Sequence, residues 1–155
     1  MNVRFTAMAI AAALAFGTSL SAQNVPSQFV VSGKLAEQIQ DFNTINLATA
    51  ERIAETCEKL AQAENVAISI YVLDPDGNHV YMDRMDGQGY LNIITAEMKA
   101  RTALAQRAPS KVVMNQVRRD PNSELQRIQL GLFANSGGLP VVINHQMIGV
   151  IGVGG

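Results

Sequence analysis

The stretch Leu73-Asp74-Pro75-Asp76-Gly77-Asn78-His79-Val80-Tyr81-Met82-Asp83-Arg84-Met85-Asp86-Gly87 decides how the rest of the chain is read. It scans as the end of one strand, a tight turn, a second strand and a second turn. Pro75 presets φ for a turn position, and Gly77 supplies the left-handed conformation of a short hairpin loop. In the second strand Val80, Met82 and Arg84 alternate with His79, Tyr81 and Asp83. So polar a strand is expected to be a working surface as well as a scaffold.

Working outward on the N-terminal side, residues 67–74 read as a strand with two largely apolar faces. Ile68, Ile70 and Val72 share one face; Ala67, Ser69, Tyr71 and Leu73 share the other. Before it, Asn46 caps a predicted helix over residues 47–64. Ala50, Ile53, Ala54, Cys57, Leu60 and Ala61 form its apolar stripe. A shorter helix is expected over residues 33–42, with Ser32 as cap and Leu35, Ile39 and Phe42 on one side.

On the C-terminal side, the spacing predicts a helix from an Asn92 cap to about residue 107. Its stripe of Ile93, Ala96, Ala100, Ala103 and Leu104 is narrow and mostly small, which suits close packing on a sheet. Pro109 ends it. Residues 111–122 give no clear assignment, and Arg118-Arg119-Asp120-Pro121 reads as a solvated turn. Ser123 caps a further short helix with Leu125, Ile128 and Leu132 expected inward. Residues 139–143 and 146–153 form a hairpin around Asn144-His145, with Pro140 at a strand start or edge. Gly149 and Gly152 interrupt the last strand, which indicates close approach by another backbone or a ligand. The short loops favour an antiparallel sheet.

The first 22 residues carry a secretory signal pattern. Arg4 precedes an apolar run from Phe5 to Phe16, and small residues lead to a cleavage point after Ala22. The run is too short to span a bilayer. The organisation is thus a signal peptide (1–22), a leader with a short helix (23–45) and one domain (46–155). The expected location is secreted or periplasmic. Removing 22 residues from 155 leaves 133, enough for one core, with a formal charge of −2 because Arg4 is the only charged residue lost. No clustered basic charge points to nucleic acid. The abrupt Val153-Gly154-Gly155 ending suggests a truncated chain or a missing closing helix.

The chemistry is narrower. Cys57 is the only cysteine, so an intrachain disulfide is excluded, and without a Cys-x-x-Cys-His motif so is covalent haem attachment of the c type. No Gly-x-Ser-x-Gly or Walker loop is present. The glycine run from Gly149 to Gly154 lies in a strand with no helix after it, a poor phosphate loop. Two histidines make no zinc site, but one suffices for an axial haem ligand. His79 reads as such a ligand or as a polar residue of a half-exposed strand, His145 as a ligand or a turn residue. Met82, Met85, Met98 and Met147 are soft ligands or core filling. Arg84, Lys99 and Arg101 are candidate anchors for a ligand carboxylate or partners in plain ion pairs with Asp83 or Asp86. No convincing acid–base pair is legible, so an enzymatic role is left open.

Taken together, Val72-Leu73-Asp74-Pro75-Asp76-Gly77-Asn78-His79, Arg84-Met85-Asp86-Gly87, Lys99-Ala100-Arg101-Thr102-Ala103, Gly137-Gly138-Leu139-Pro140 and Ile148-Gly149-Val150-Ile151-Gly152-Val153-Gly154 resemble the GlcG/HbpS-like family of haem-binding or haem-degrading domains. The likeness covers about residues 46–155. It implies an α/β fold of the α+β type, profilin-like or PAS-like, with a mainly antiparallel sheet flanked by helices. It also implies homo-oligomers and, in some relatives, secretion, haem or iron binding and a sensor-kinase partner. Two departures stand out: Asn144-His145 where relatives often have Asp-Gly, and no usual C-terminal helix.

The expectation is therefore an exported protein that binds haem noncovalently, for sequestration, sensing or slow degradation. The cofactor-binding candidates are His79, His145, Arg84, Lys99 and Arg101, with His79 as metal ligand. The alternatives are a module for a small organic acid, using Arg84 and the Gly137-Gly138-Leu139-Pro140 turn, and an oligomeric partner of a sensor protein.

Overall fold

The structure, a computed structural model, describes residues 43–155. The signal peptide, the leader and the helix expected over residues 33–42 lie outside the described residues. Within them the order is α1 (Leu47–Ala63), β1 (Ser69–Leu73), β2 (His79–Arg84), α2 (Tyr90–Gln106), α3 (Ser110–Arg119), α4 (Ser123–Gln129), β3 (Gly138–Ile143) and β4 (Gln146–Gly154). The four strands form one antiparallel sheet in the order β2-β1-β4-β3. The expected mixed fold with a helix-flanked antiparallel sheet is thus what the chain adopts.

The two apolar faces of β1 build two half-cores. Ile70 and Val72 pack with Ile45, Ala50, Ala54 and Ile151 on the α1 side. Leu73 packs with Ala100, Ala103 and Val150 on the α2 side, with Tyr71, Leu104 and Met147 around them. Asn46 caps α1 as expected, its Oδ1 accepting from Thr49 N at 2.9 Å. Leu60 departs from the expected stripe and faces solvent, whereas its neighbour Ala61 is buried.

α2 lies directly on β3 and β4. A methyl group at Gly152 would collide with the Ala96 carbonyl, at Gly154 with that of Asn92, and at Gly138 with that of Lys99. The close approach expected at Gly152 is therefore by a helix backbone, and the buried Ala96, Ala100 and Ala103 complete it from the other side. Gly149 is pinched in the same way, by Leu73 O and Ile45. Gly154, read above as part of an abrupt ending, is an integral part of this contact.

Three readings need correction, and the hairpin turn at Asn144-His145 stands as expected. Asn92 does not cap α2; Gly89 does, and Asn92 N donates to Gly89 O at 3.1 Å inside the first turn. Residues 111–119 belong to α3, which Pro109 opens and whose Val113 and Val117, four apart, are buried. Leu125 and Ile128 of α4 point outward, and only Leu132 beyond it is buried, because no layer lies above α4 to receive them. Asn144-His145 forms the hairpin turn without glycine: both residues take positive φ, 47° and 64°, as a two-residue loop requires.

Gly152→Ala is expected to cost about 3 kcal/mol or more, since overpacking against a rigid carbonyl has no side chain to yield. A urea titration followed by circular dichroism checks this. Asn144→Gly should leave the midpoint unchanged or raise it.

Candidate functional site

β2 is an edge strand whose two faces carry different chemistry. It pairs Tyr71 with Met82, Ser69 with Arg84 and Leu73 with His79, and a bulge absorbs Val80. Residues directly opposite in an antiparallel pair share a face. His79, Met82 and Arg84 therefore lie on the α2 side, and Tyr81 and Asp83 on the α1 side. α2 packs on β4, β1 and β3, and the α2-side face of β2 is left exposed at all three residues.

On this open face the His79 and Tyr71 rings meet at 4.9 Å between centroids with a 59° tilt. Burial raises the Tyr71 phenol above its usual range; the nearby Glu97 adds to this and Arg101 opposes it. That places the Glu97–Arg101 ion pair of α2, closed at 2.7 Å, beside the aromatic pair. The Arg84 guanidinium donates to Gln88 O at 2.5 Å. Ser69, opposite Arg84 in the register, is fully buried, and its Oγ has no hydrogen-bond partner. His79 and Arg84 thus share one face of β2 at its two ends, with Tyr71 and Met82 as apolar floor between them and Arg101 of α2 near Tyr71.

The other candidates lie elsewhere. Lys99 is 7% exposed, and its Nζ donates to Val153 O at 2.8 Å. Burial lowers its pKa. Neither Lys99 nor Arg101 pairs with Asp83 or Asp86: the first is spent on β4 and the second on Glu97. His145 is exposed in the β3–β4 turn, on a different hairpin from His79 with β1 between them. The Gly137-Gly138-Leu139-Pro140 turn is filled from below by Lys99 and Ser110, whose Oγ accepts from Gly138 N at 2.9 Å. That turn opens β3, at the opposite edge of the sheet from Arg84.

At the Arg84 end of β2, towards α1, Glu58, Gln62, Asp83, Arg84, Met85 and Asp86 line an open cleft of about 440 Å³. The Glu58 carboxyl is raised above its usual range, first by burial, then by its hydrogen bond with Asp83 and the charges of Asp83 and Glu55, against the pull of Lys59. Tyr81 Oη donates to Asp83 Oδ2 at 3.3 Å. Glu58 therefore holds its proton more readily than an isolated carboxyl. Cys57, next along α1, is half-buried, and burial followed by Glu58 raises its thiol, so it is a poor nucleophile. Among the described residues no three His, Cys, Asp or Glu side chains are placed to hold a metal ion together. Sequence reasoning missed Tyr71 and the Glu58–Asp83 pair. The alternation of β1 gave the face of Tyr71, but its place opposite Met82 depends on the register across the bulge, and the partner of Asp83 on where α1 crosses β2.

The turn before the site is built by Asp74. Its Oδ1 accepts from Asp76 N and Asn78 N at 2.9 and 2.8 Å, and its Oδ2 from Asn78 Nδ2 at 2.9 Å. Burial opposes its ionisation, but these bonds, with Gly77, outweigh burial and hold the carboxyl below its usual range.

A family model described as "Haem degrading protein HbpS-like" matches residues 45–155. Protein GlcG of Escherichia coli K12 is 32% identical over 105 residues, covering 67% of this chain and 76% of GlcG. The crystal structure of Klebsiella pneumoniae protein ORFY superposes with a TM-score of 0.70 at 31% identity, covering 76% of this chain and 83% of that one. The crystal structure of HbpS gives 0.69 at 25% identity, covering 81% and 85%.

The raised Glu58 fixes the sign of one pH effect. Its stabilising contribution is complete below the ordinary carboxylate range and is lost as pH rises through the raised value. Glu58→Gln is therefore expected to raise the melting temperature at neutral pH and to leave it nearly unchanged in acid. Thermal unfolding at several pH values checks this.

Proposed function

The chain belongs to the HbpS-like family, and from that premise and the open face of β2 we propose that it is an exported protein that binds haem noncovalently. The observation that carries this reading is the exposed His79 imidazole, held by Tyr71 on an otherwise uncovered sheet face. The residues fit the group. A neutral imidazole is a good axial ligand. Met82 and Tyr71 offer apolar surface for a macrocycle beside it. Arg84 and Arg101 are positioned to take propionates by exchanging Gln88 O and Glu97 for a ligand carboxylate. The orphaned Ser69 Oγ marks the Arg84 end of the same face as incompletely satisfied.

Bound haem would bring its own iron chemistry. The chain's part would be to offer His79 to the iron, apolar surface from Tyr71 and Met82 to the ring, and Arg84 and Arg101 to the propionates. No second histidine shares this face, so the arrangement suits sequestration or presentation of haem better than a closed catalytic pocket. The apolar run from Phe5 to Phe16 supports export. Among the described residues no helix is long and apolar enough to cross a membrane.

Titration of the purified full-length chain with haemin is expected to shift the Soret band at micromolar concentration. His79→Ala should weaken binding by about tenfold or more, equivalent to about 1.4 kcal/mol. Arg84→Ala with Arg101→Ala should weaken it further without changing the ligand-sensitive bands. An unchanged Soret titration in His79→Ala would remove the proposed ligand.

A further inference from the structure

We infer that the α3–α4 end of the domain is a docking surface for an anionic phospholipid membrane. Charge along the chain is segregated. Residues 43–97 carry nine acidic and three basic side chains, residues 98–131 two acidic and seven basic, and residues 132–155 no Asp, Glu, Lys or Arg. The fold keeps the two groups apart. Most of the acidic set lies on α1 and the β1–β2 hairpin, and α1 packs on β2. α3 packs on α2 and on β3, at the other edge of the sheet. The molecule therefore has an acidic side and a basic side.

The basic side is also apolar. On α3, Val113 and Val117 turn inward, while Lys111, Val112, Arg118 and Arg119 are exposed. At about 100° per residue these four fall within one outward arc of about 120°. α4 returns against α3, Arg127 Nη2 donating to Gln116 Oε1 at 2.9 Å. It turns Leu125 and Ile128 to solvent, with Leu130 just beyond it, at 70%, 50% and 75% exposure. Single exposed apolar residues are ordinary on a protein surface; three within six residues form a patch. Among the described residues the ion pairs are Lys59–Glu55 and Arg101–Glu97, so Lys111, Arg118 and Arg119 take part in none. Of the two acidic side chains nearby, Asp120 is used in the turn, its Oδ1 accepting from Asn122 N at 3.2 Å, and Glu124 stands in the first turn of α4. Apolar side chains set among cations suit the headgroup layer of an anionic bilayer. The apolar groups leave water for acyl chains while the cations stay with the phosphates. Leu125 and Leu130 protrude, and a fluid acyl layer accepts protruding side chains with no shaped pocket to receive them. The acidic side is repelled by the same surface, so docking has one orientation, with the β2 edge outward. His79 then stays reachable from water. Only this last consequence leans on the haem reading; the contact itself needs no ligand.

The chain has no tryptophan, so one introduced at Leu125 reports on this surface alone. Chains processed after Ala22 are compared, so that the apolar run from Phe5 to Phe16 contributes nothing. With vesicles of phosphatidylglycerol and phosphatidylcholine at low salt, the Leu125→Trp chain is expected to sediment with the lipid and its emission to move to the blue. Both effects should fade as salt rises and be absent with phosphatidylcholine alone. Leu60→Trp, on the acidic side and 65% exposed, should sediment with the same vesicles without a shift. Arg118→Gln with Arg119→Gln should weaken vesicle binding about tenfold or more. Leu125→Ser with Ile128→Ser and Leu130→Ser should do the same, with circular dichroism unchanged in both. A wild-type chain that ignores the mixed vesicles overturns the inference, as does equal binding to phosphatidylcholine alone or a blue shift from Leu60→Trp. Retention on immobilised polyglutamate without vesicle binding would overturn it too and assign the surface to an acidic protein. A chain that binds vesicles as described but gives no Soret shift leaves the membrane contact standing and removes the haem reading alone.

Discussion

The fold depends on one contact, backbone against backbone, between α2 and the C-terminal hairpin. Helix and sheet ordinarily stay apart by the thickness of two side-chain layers. Here Gly138, Gly152 and Gly154 remove one layer, and Ala96, Ala100 and Ala103 thin the other. The carbonyls of Asn92, Ala96 and Lys99 then rest on the strands themselves. So close a seam buries little apolar area for its length, and polar side chains of α2 and α3 complete it. Lys99 holds Val153 O, Thr102 Oγ1 accepts from Phe133 N at 2.8 Å, and Ser110 Oγ donates to Asn135 O at 2.7 Å. Lys99 belongs to this framework, and its charge is committed to β4.

The seam also decides where the protein is open. With α2 drawn onto β3 and β4, its width does not extend to β2. α1 covers the other face of that strand and leaves the α2 side bare. An edge strand with one uncovered face would be an aggregation hazard if it were apolar. Here His79, Asp83 and Arg84 make it polar, and a bulge breaks its register. The same features make it a place where a ligand or a neighbour can bind without disturbing the core.

Much of this was legible in the sequence where local chemistry and burial agree. The Asp74–Asn78 turn, the Asn46 cap, the two faces of β1 and the small-residue stripe of α2 all follow from spacing, and the structure keeps them. The failures have a common cause. Leu125 and Ile128 have a helical spacing that normally signals a buried face, but periodicity cannot tell a face covered by the chain from one left for something else. Lys99 reads as a carboxylate anchor or an ion-pair partner until the depth of the helix is known. Asn92 is a good cap by residue type, yet Gly89 takes that place, while Asn92 Nδ2 donates to Gln88 Oε1 from inside the first turn. Of the site, His79, Arg84 and Arg101 could be named from sequence; that they share a side, and that Tyr71 joins them, needed the register across the bulge.

The glycine seam has a consequence for how the chain tolerates changes in length. Along it, two residues of β4, from Gly154 back to Gly152, keep step with four residues of α2, from Asn92 to Ala96. Two strand residues span about 6.6 Å and four helical residues about 6.0 Å, so the two tracks run nearly in phase over this short distance. They behave like the scales of a vernier. One residue added to either track would bring a side chain where a glycine is needed and turn the alanine face by about 100°. Insertions and deletions are therefore confined to the loops and to the α3–α4 segment, the parts of the domain that the seam does not index.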